Sequence, residues 1–207
     1  MCRAEGKTKL YVSPLSLVLL GAFILISSPL MLCAILQAAV LHELGHWLTL
    51  SLYGARPAEL RITAFGAEML LDSRCRLSYG AELAAVAAGP LVNLLFAVLL
   101  GAAGRYWEAD TLYLFSGAHL VLGLFNLLPA AALDGGRMLW LAVSYLIQPY
   151  AADRVCAVAG AAVSALLIAG GAVMLVRGGH CFLLLAALGL SFPSVRELGL
   201  VKRRHGG

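Results

Sequence analysis

The sequence predicts an all-α integral membrane protein of about six transmembrane helices, with a small membrane-associated β-hairpin. Its 207 residues are 61% hydrophobic and 13% charged, with a mean hydropathy of +0.90. An ordinary soluble domain is roughly 45–50% apolar and about 25% charged. Apolar stretches fall at 10–27, 30–51, 82–101, 111–128, 155–176 and 181–193, most of them near the roughly 20 residues that carry a helix across a bilayer. Between Tyr53 and Gly80 the helical pattern gives way to short runs that alternate polar and apolar residues. A single domain over 1–207 is expected, with a core at 10–193 and a short basic tail at 194–207.

Arg3, Lys7 and Lys9 precede an apolar run from Leu15 to Ile26, the layout of a secretory signal. No small-residue cleavage site follows, and Leu30-Met31-Leu32-Cys33 sets a bulky leucine before the cysteine, so a retained first span is expected. Ser27-Ser28-Pro29 reads as a tight turn into the second span, because proline disfavours helix in the residue before it and starts helices well. Glu59-Leu60-Arg61-Ile62-Thr63 alternates, Phe65-Gly66-Ala67 can turn and Met69-Leu70-Leu71 can return, which makes a short hairpin. Its edge either receives an extended peptide by strand addition or is simply part of a cytoplasmic loop. A shorter apolar helix is expected at 137–147.

With the N-terminus inside and six crossings, only Arg105 and Arg177 of the 15 Lys and Arg residues lie outside. The positive-inside rule therefore favours a multi-pass cell-membrane protein with both termini cytoplasmic. The net charge of +4 comes from scattered loop and end residues without aromatic interleaving, so no nucleic-acid partner is expected. Cys2, Cys33, Cys75, Cys156 and Cys181 form no CxxC pair and are read as free thiols.

The chemistry concentrates in His42-Glu43-Leu44-Gly45-His46, inside the second apolar stretch. Two histidines four apart share one helix face, so both imidazoles can reach one metal ion, and Glu43 beside that face can serve as a base. Three ionisable groups within hydrocarbon are costly unless they coordinate, pair or line a wet cavity. A catalytic zinc site normally has three protein ligands, so a third must come from elsewhere. The candidate is Asp134, past Pro129 and before Gly135-Gly136, where a helix breaks and the backbone can bend. The alternative is a plain loop after the fourth span, with Asp134 capping the next helix.

HELGH in an early span, Ala88-Gly89-Pro90-Leu91-Val92-Asn93 in the third, and Asn126-Leu127-Leu128-Pro129 leading to Leu133-Asp134-Gly135-Gly136 together resemble the site-2 protease family, the M50 intramembrane zinc metalloproteases. The resemblance covers roughly 10–193 and looks closest to the subgroup of the stage IV sporulation protein FB. It implies one zinc ion per chain held by His42, His46 and Asp134, with Glu43 activating water and Asn126 and Pro129 positioning substrate. The implied activity is that of a metalloendopeptidase cutting a membrane-spanning or membrane-associated protein near the cytoplasmic side. A sporulation sigma-factor precursor is one such substrate, and an inhibitory membrane partner belongs to the same picture. Neither a CBS nor a PDZ domain is expected. The competing classes are a divalent-metal transporter and a non-catalytic membrane scaffold. His119 is expected to line the interior or hydrogen-bond there rather than bind metal. Asn93 bonds another helix or serves catalysis, and His180 and His205 are expected at the surface.

Overall fold

The computed structural model describes residues 8–63, 66–71 and 77–177. The sixth apolar stretch, the basic tail, His180, His205, Cys2, Cys75 and Cys181 lie outside the described residues. The chain folds as two compact units, Met1–Phe125 and Asn126–Gly207.

The first unit begins with β1 (Lys9–Val12) and α1 (Pro14–Ile26), followed by α2 (Pro29–Leu52). It continues through β2 (Pro57–Thr63), β3 (Gly66–Leu71), α3 (Tyr79–Trp107) and α4 (Asp110–Asn126), whose last residue opens the second unit. Proline starts α1 and α2 at the first helical turn, where its missing N–H is not needed. Ser28 and Ser78 cap α2 and α3, their hydroxyls accepting from the backbone N–H of Met31 and Ala81 at 3.3 Å.

Three helices among the described residues are long and apolar enough to cross a membrane: α2, α3 and α6, of 24, 29 and 28 residues. The first apolar stretch yields a 13-residue α1, shorter than expected from 10–27, because Lys9–Val12 is drawn into a strand. α4 has 17 residues. Leu36, Val40, Leu44, Trp47 and Leu48 stand exposed on α2, and Leu91, Leu95, Val98 and Leu99 on α3. Such apolar belts are a liability in water and the natural surface against lipid.

The buried positions of these helices are small. On α3, Ala81, Ala85, Gly89, Asn93 and Ala97 recur every four residues and are all buried; on α2, Ala34, Ala38 and His42 do the same. In lipid, helices associate through close van der Waals contact and polar bonds, so small residues in an i, i+4 row are the side chains that permit it. A Cβ on Gly45 of α2 would lie 2.9 Å from the Ala88 carbonyl oxygen and 3.0 Å from Val92 Cγ2 of α3. Only glycine lets the two backbones approach this far.

The expected hairpin is present as β2 and β3, paired antiparallel with Leu60 opposite Met69 and Ile62 opposite Ala67. Gly66 and Ala67, expected in its turn, already belong to the returning strand. A third strand was not expected: β1 pairs parallel with β2, Lys9 against Glu59 through Val12 against Ile62. Among the described residues, the outer strands of this β1-β2-β3 sheet are therefore β1 and β3. Arg61 Nε donates to Glu59 Oε1 at 2.8 Å. That hydrogen bond, aided by the charges of Arg61 and Lys9, holds the Glu59 carboxyl below its ordinary range. The pair is open to water and adds little to stability.

The sheet is fixed to the helices by a small apolar cluster. Leu50, Ala55 and Ala85 are buried together, with Met69, Leu71 and Leu77 packed against them. α2 enters this cluster through a glycine cap: Gly54 has φ +71°, its N–H bonds Ser51 O, and Ala55 N–H reaches back to Leu50 O at 2.9 Å. This is the Schellman arrangement, with the expected contact between Ala55 and Leu50.

The second unit holds α5 (Asp134–Leu146) and α6 (Pro149–Val176). Buried Ala152, Cys156, Gly160 and Ser164 again run every four residues along α6. Trp140 Nε1 donates to Asp153 Oδ1 at 2.9 Å and joins the two helices. Cys33 and Cys156 are free thiols, as expected for those two.

Gly54→Ala places a side chain in the left-handed region and is expected to lower stability by about 1–2 kcal/mol. Gly80→Ala has no atom within 4 Å of the new methyl and an ordinary φ, so it is expected to be neutral or slightly stabilising. Thermal unfolding of the detergent-solubilised variants checks both; equal midpoints would contradict the cap assignment.

Candidate metal centre

The histidine pair lies in the middle of α2, where it faces α3. His42 is buried and His46 partly so. Their rings meet edge to face with centroids 4.7 Å apart, and the two Nε2 atoms are 3.1 Å apart. A tetrahedral ion with bonds of about 2.0–2.1 Å sets two nitrogens roughly 3.3 Å apart, so this spacing suits two ligands of one metal.

The outer nitrogens decide which lone pairs are available. His46 Nδ1 lies 2.8 Å from the Ala85 carbonyl oxygen. A carbonyl only accepts, so Nδ1 carries the proton and a neutral His46 presents a lone pair at Nε2. Such a carbonyl behind a ligating histidine fixes both ring orientation and tautomer. Ala85 also belongs to the apolar cluster under the sheet, so the hairpin supports the carbonyl that holds His46.

Room for the imidazoles depends on Gly89. A Cβ there would collide with Nε2 and Cε1 of His46 and lie 2.9 Å from His42 Cε1. Gly89 thus lets both imidazole rings pack against the α3 backbone.

Behind His42 the interior is polar. The side-chain amide of Asn93 lies 3.3 Å from His42 Nδ1 and 3.1 Å from His119 Nδ1 of α4. His119 is fully buried, its Nε2 is 3.3 Å from Gln37 Oε1, and the Phe96 ring stacks on it at 5.3 Å. The expectation that Asn93 bonds another helix and that His119 hydrogen-bonds rather than ligates agrees with these contacts. What the sequence did not reveal is that they bond each other in a line ending at His42. Two polar residues buried in apolar helices were the available signal, since such groups must find partners in hydrocarbon.

Glu43 follows His42 on α2 and is half-buried. In the second unit, Asn126 closes α4 and the chain is non-helical from 127 to 133, with Pro129 in that turn. Ala130 N–H bonds Leu128 O and Leu133 N–H bonds Ala130 O, which coils the segment tightly. Asp134 is the first residue of α5, but the N-cap is Leu133, with no side-chain cap. The alternative role for Asp134 as helix cap is thereby corrected: it lies in the first turn of α5 and not at the cap position. A Cβ on Gly135 or Gly136 would strike the carbonyl of Leu127 or Ala130. The glycine pair is thus what allows the coil to fold back onto the start of α5.

The chain is similar to a zinc metalloprotease of Methanocaldococcus jannaschii, with 26% identity over 170 residues, 80% of this chain and 48% of that protein. Stage IV sporulation protein FB of Bacillus subtilis is 28% identical over 138 residues, 66% of this chain and 48% of its own. The solved site-2 protease of Methanocaldococcus jannaschii superposes with a TM-score of 0.67 at 24% identity, covering 94% of each chain. The chain thus shares the fold of the solved site-2 protease and is similar in sequence to a zinc metalloprotease over most of its own length. No family model matches the sequence. The chain spans about half the length of the curated relatives it matches. The resemblance first seen in HELGH, GPLVN and NLLPAAALDGG thus extends over most of the chain.

Gly89→Ala is expected to abolish metal retention with helicity unchanged, as measured by metal content per chain and far-ultraviolet circular dichroism. Gly45→Ala is expected to lower thermal stability instead, because its methyl strikes the α3 backbone rather than the imidazoles. A Gly89→Ala protein that kept its full metal content would refute the role given to Gly89.

Proposed function

We propose that this chain is the membrane core of a zinc metalloendopeptidase that cleaves a membrane-spanning or membrane-associated protein near the cytoplasmic side. The observation that carries the reading is the convergence of the His42 and His46 Nε2 atoms in front of Gly89, with Glu43 next to the pair. Asp134 is the third ligand in this reading. Two imidazoles and one carboxylate are the donor types that suit a catalytic zinc with one position left for water. The likeness to a zinc metalloprotease supports the same assignment.

A bound zinc ion supplies a water whose pKa falls toward about 7 and a Lewis acid for the scissile carbonyl. Glu43 takes the proton of the attacking water and returns it to the leaving amine, a general-base and general-acid role that contributes about 10²–10⁴-fold. A substrate helix keeps its amides bonded internally, so it must unwind before attack. The outer edge of β3 offers backbone groups to hold such a segment extended, since β1 already occupies the other edge of β2. Asn126 donates its amide to the substrate carbonyl, and Pro129 fixes the turn that presents it.

Six crossings with both termini cytoplasmic complete the reading, on the distribution of Lys and Arg. Processing of a sporulation sigma-factor precursor is its finest form, supported by the likeness to the stage IV sporulation protein. An intact donor set beside an intact base speaks for a protease over a scaffold.

Glu43→Gln is expected to lower cleavage of a co-expressed membrane substrate by at least about 10²-fold while metal content stays at the wild-type level. His46→Ala and Asp134→Asn are expected to lose both metal and cleavage. Full cleavage by Glu43→Gln would end the protease reading, and metal flux into vesicles without proteolysis would replace it with transport.

A further inference from the structure

The line of polar side chains behind His42 has a direction that metal binding imposes. To ligate through Nε2, a neutral His42 must carry its proton on Nδ1, the atom 3.3 Å from the Asn93 amide. Asn93 then has to present its carbonyl oxygen to His42 and its NH₂ group to His119. A side-chain amide reaches that arrangement by a half-turn, since its oxygen and nitrogen occupy nearly the same space. His119 Nδ1 must in turn accept from Asn93, which leaves its own proton on Nε2. At 3.3 Å from that nitrogen stands Gln37 Oε1, an acceptor. Every donor then meets an acceptor from α2 through α3 and α4 and back to α2.

We propose that His119 is a positioning residue for the metal ligand His42, acting through Asn93, with Gln37 holding the His119 proton on Nε2. The inference rests on the assignment of His42 and His46 as metal ligands. Both nitrogens of His119 are engaged, the residue is fully buried, and Phe96 lies nearly parallel to its ring at 18°, so the imidazole cannot swing to another partner. The two histidine ligands are thus oriented by different means. The Ala85 backbone carbonyl holds His46 in one tautomer whatever the side chains do. His42 depends on an amide that can face either way, and His119 decides which way it faces. In lipid no water is at hand to take over if a member of the line is removed.

The test uses the full chain in detergent, stripped of metal and titrated with zinc against a chromophoric chelator. His119→Leu is expected to weaken zinc binding by about 10–100-fold, the usual effect of losing an outer-shell partner. His119→Gln is expected to stay within about threefold of wild type, because its amide can accept from Asn93 and donate to Gln37. ¹⁵N-histidine spectra of the zinc-loaded wild type are expected to show His119 protonated at Nε2 and unprotonated at Nδ1. That measurement needs no variant and decides the matter should His119→Leu fail to fold. A His119 proton on Nδ1 in the loaded protein, or equal zinc affinity in folded wild type and His119→Leu, overturns the proposal. A wild-type chain that binds no zinc overturns the ligand assignment as well.

Discussion

The close approach of α2 and α3 is the constraint on which the rest of the first unit depends. At Gly45 the α2 backbone comes so near the Ala88 carbonyl that a methyl group has no room. That approach brings the Ala85 carbonyl within 2.8 Å of His46 and the Asn93 amide within 3.3 Å of His42. It also seats both rings against Gly89, where a methyl group has no room. In a bilayer the hydrophobic effect does not drive helices together, so contact of this kind between small residues, reinforced by polar bonds, is the principal source of association. The same packing that stabilises the helix pair therefore shapes the metal centre.

Polar groups follow a consistent rule in this unit. Gln37, His42, His46, Asn93 and His119 occupy the interior face of the helices and bond one another or backbone carbonyls, whereas the exposed faces carry leucine, valine and tryptophan. Ser116 and Thr49 also turn their hydroxyls to backbone carbonyls, Ala97 O at 2.7 Å and Gly45 O at 3.0 Å. Each bond removes a polar atom from contact with hydrocarbon, where an unsatisfied group costs several kcal/mol. The sheet has a different task. Its inner residues bury Leu50, Ala55 and Ala85, and so it stiffens the end of α2 and the start of α3 that flank the histidines.

Much of this was legible in the residues. The long apolar stretches locate α2, α3 and α6, and Ser28-Pro29 marks the start of α2 within one residue. The alternation at Glu59–Thr63 and the return at Met69–Leu71 locate the hairpin, because a two-residue period is a local property. β1 was not legible, since Lys9–Val12 is equally apolar whether it begins a helix or joins a sheet. Its state depends on β2, some fifty residues away, and a parallel pairing leaves no turn signal between the partners. The apolar helix expected at 137–147 begins three residues earlier, at Asp134, because the coil of 127–133 sets where helical bonding begins.

The sequence by itself determined the membrane setting and the identity of the reactive groups. Hydropathy and the i, i+4 spacing of His42 and His46 are properties of residue type and helical period, and they hold in any packing. Only the tertiary structure decided what stands behind each imidazole. A backbone carbonyl for His46 and a buried amide backed by His119 for His42 come from helices that meet through contacts far apart in the chain. Hydrogen-bond direction depends on that meeting to within a few tenths of an ångström, and no local pattern encodes it.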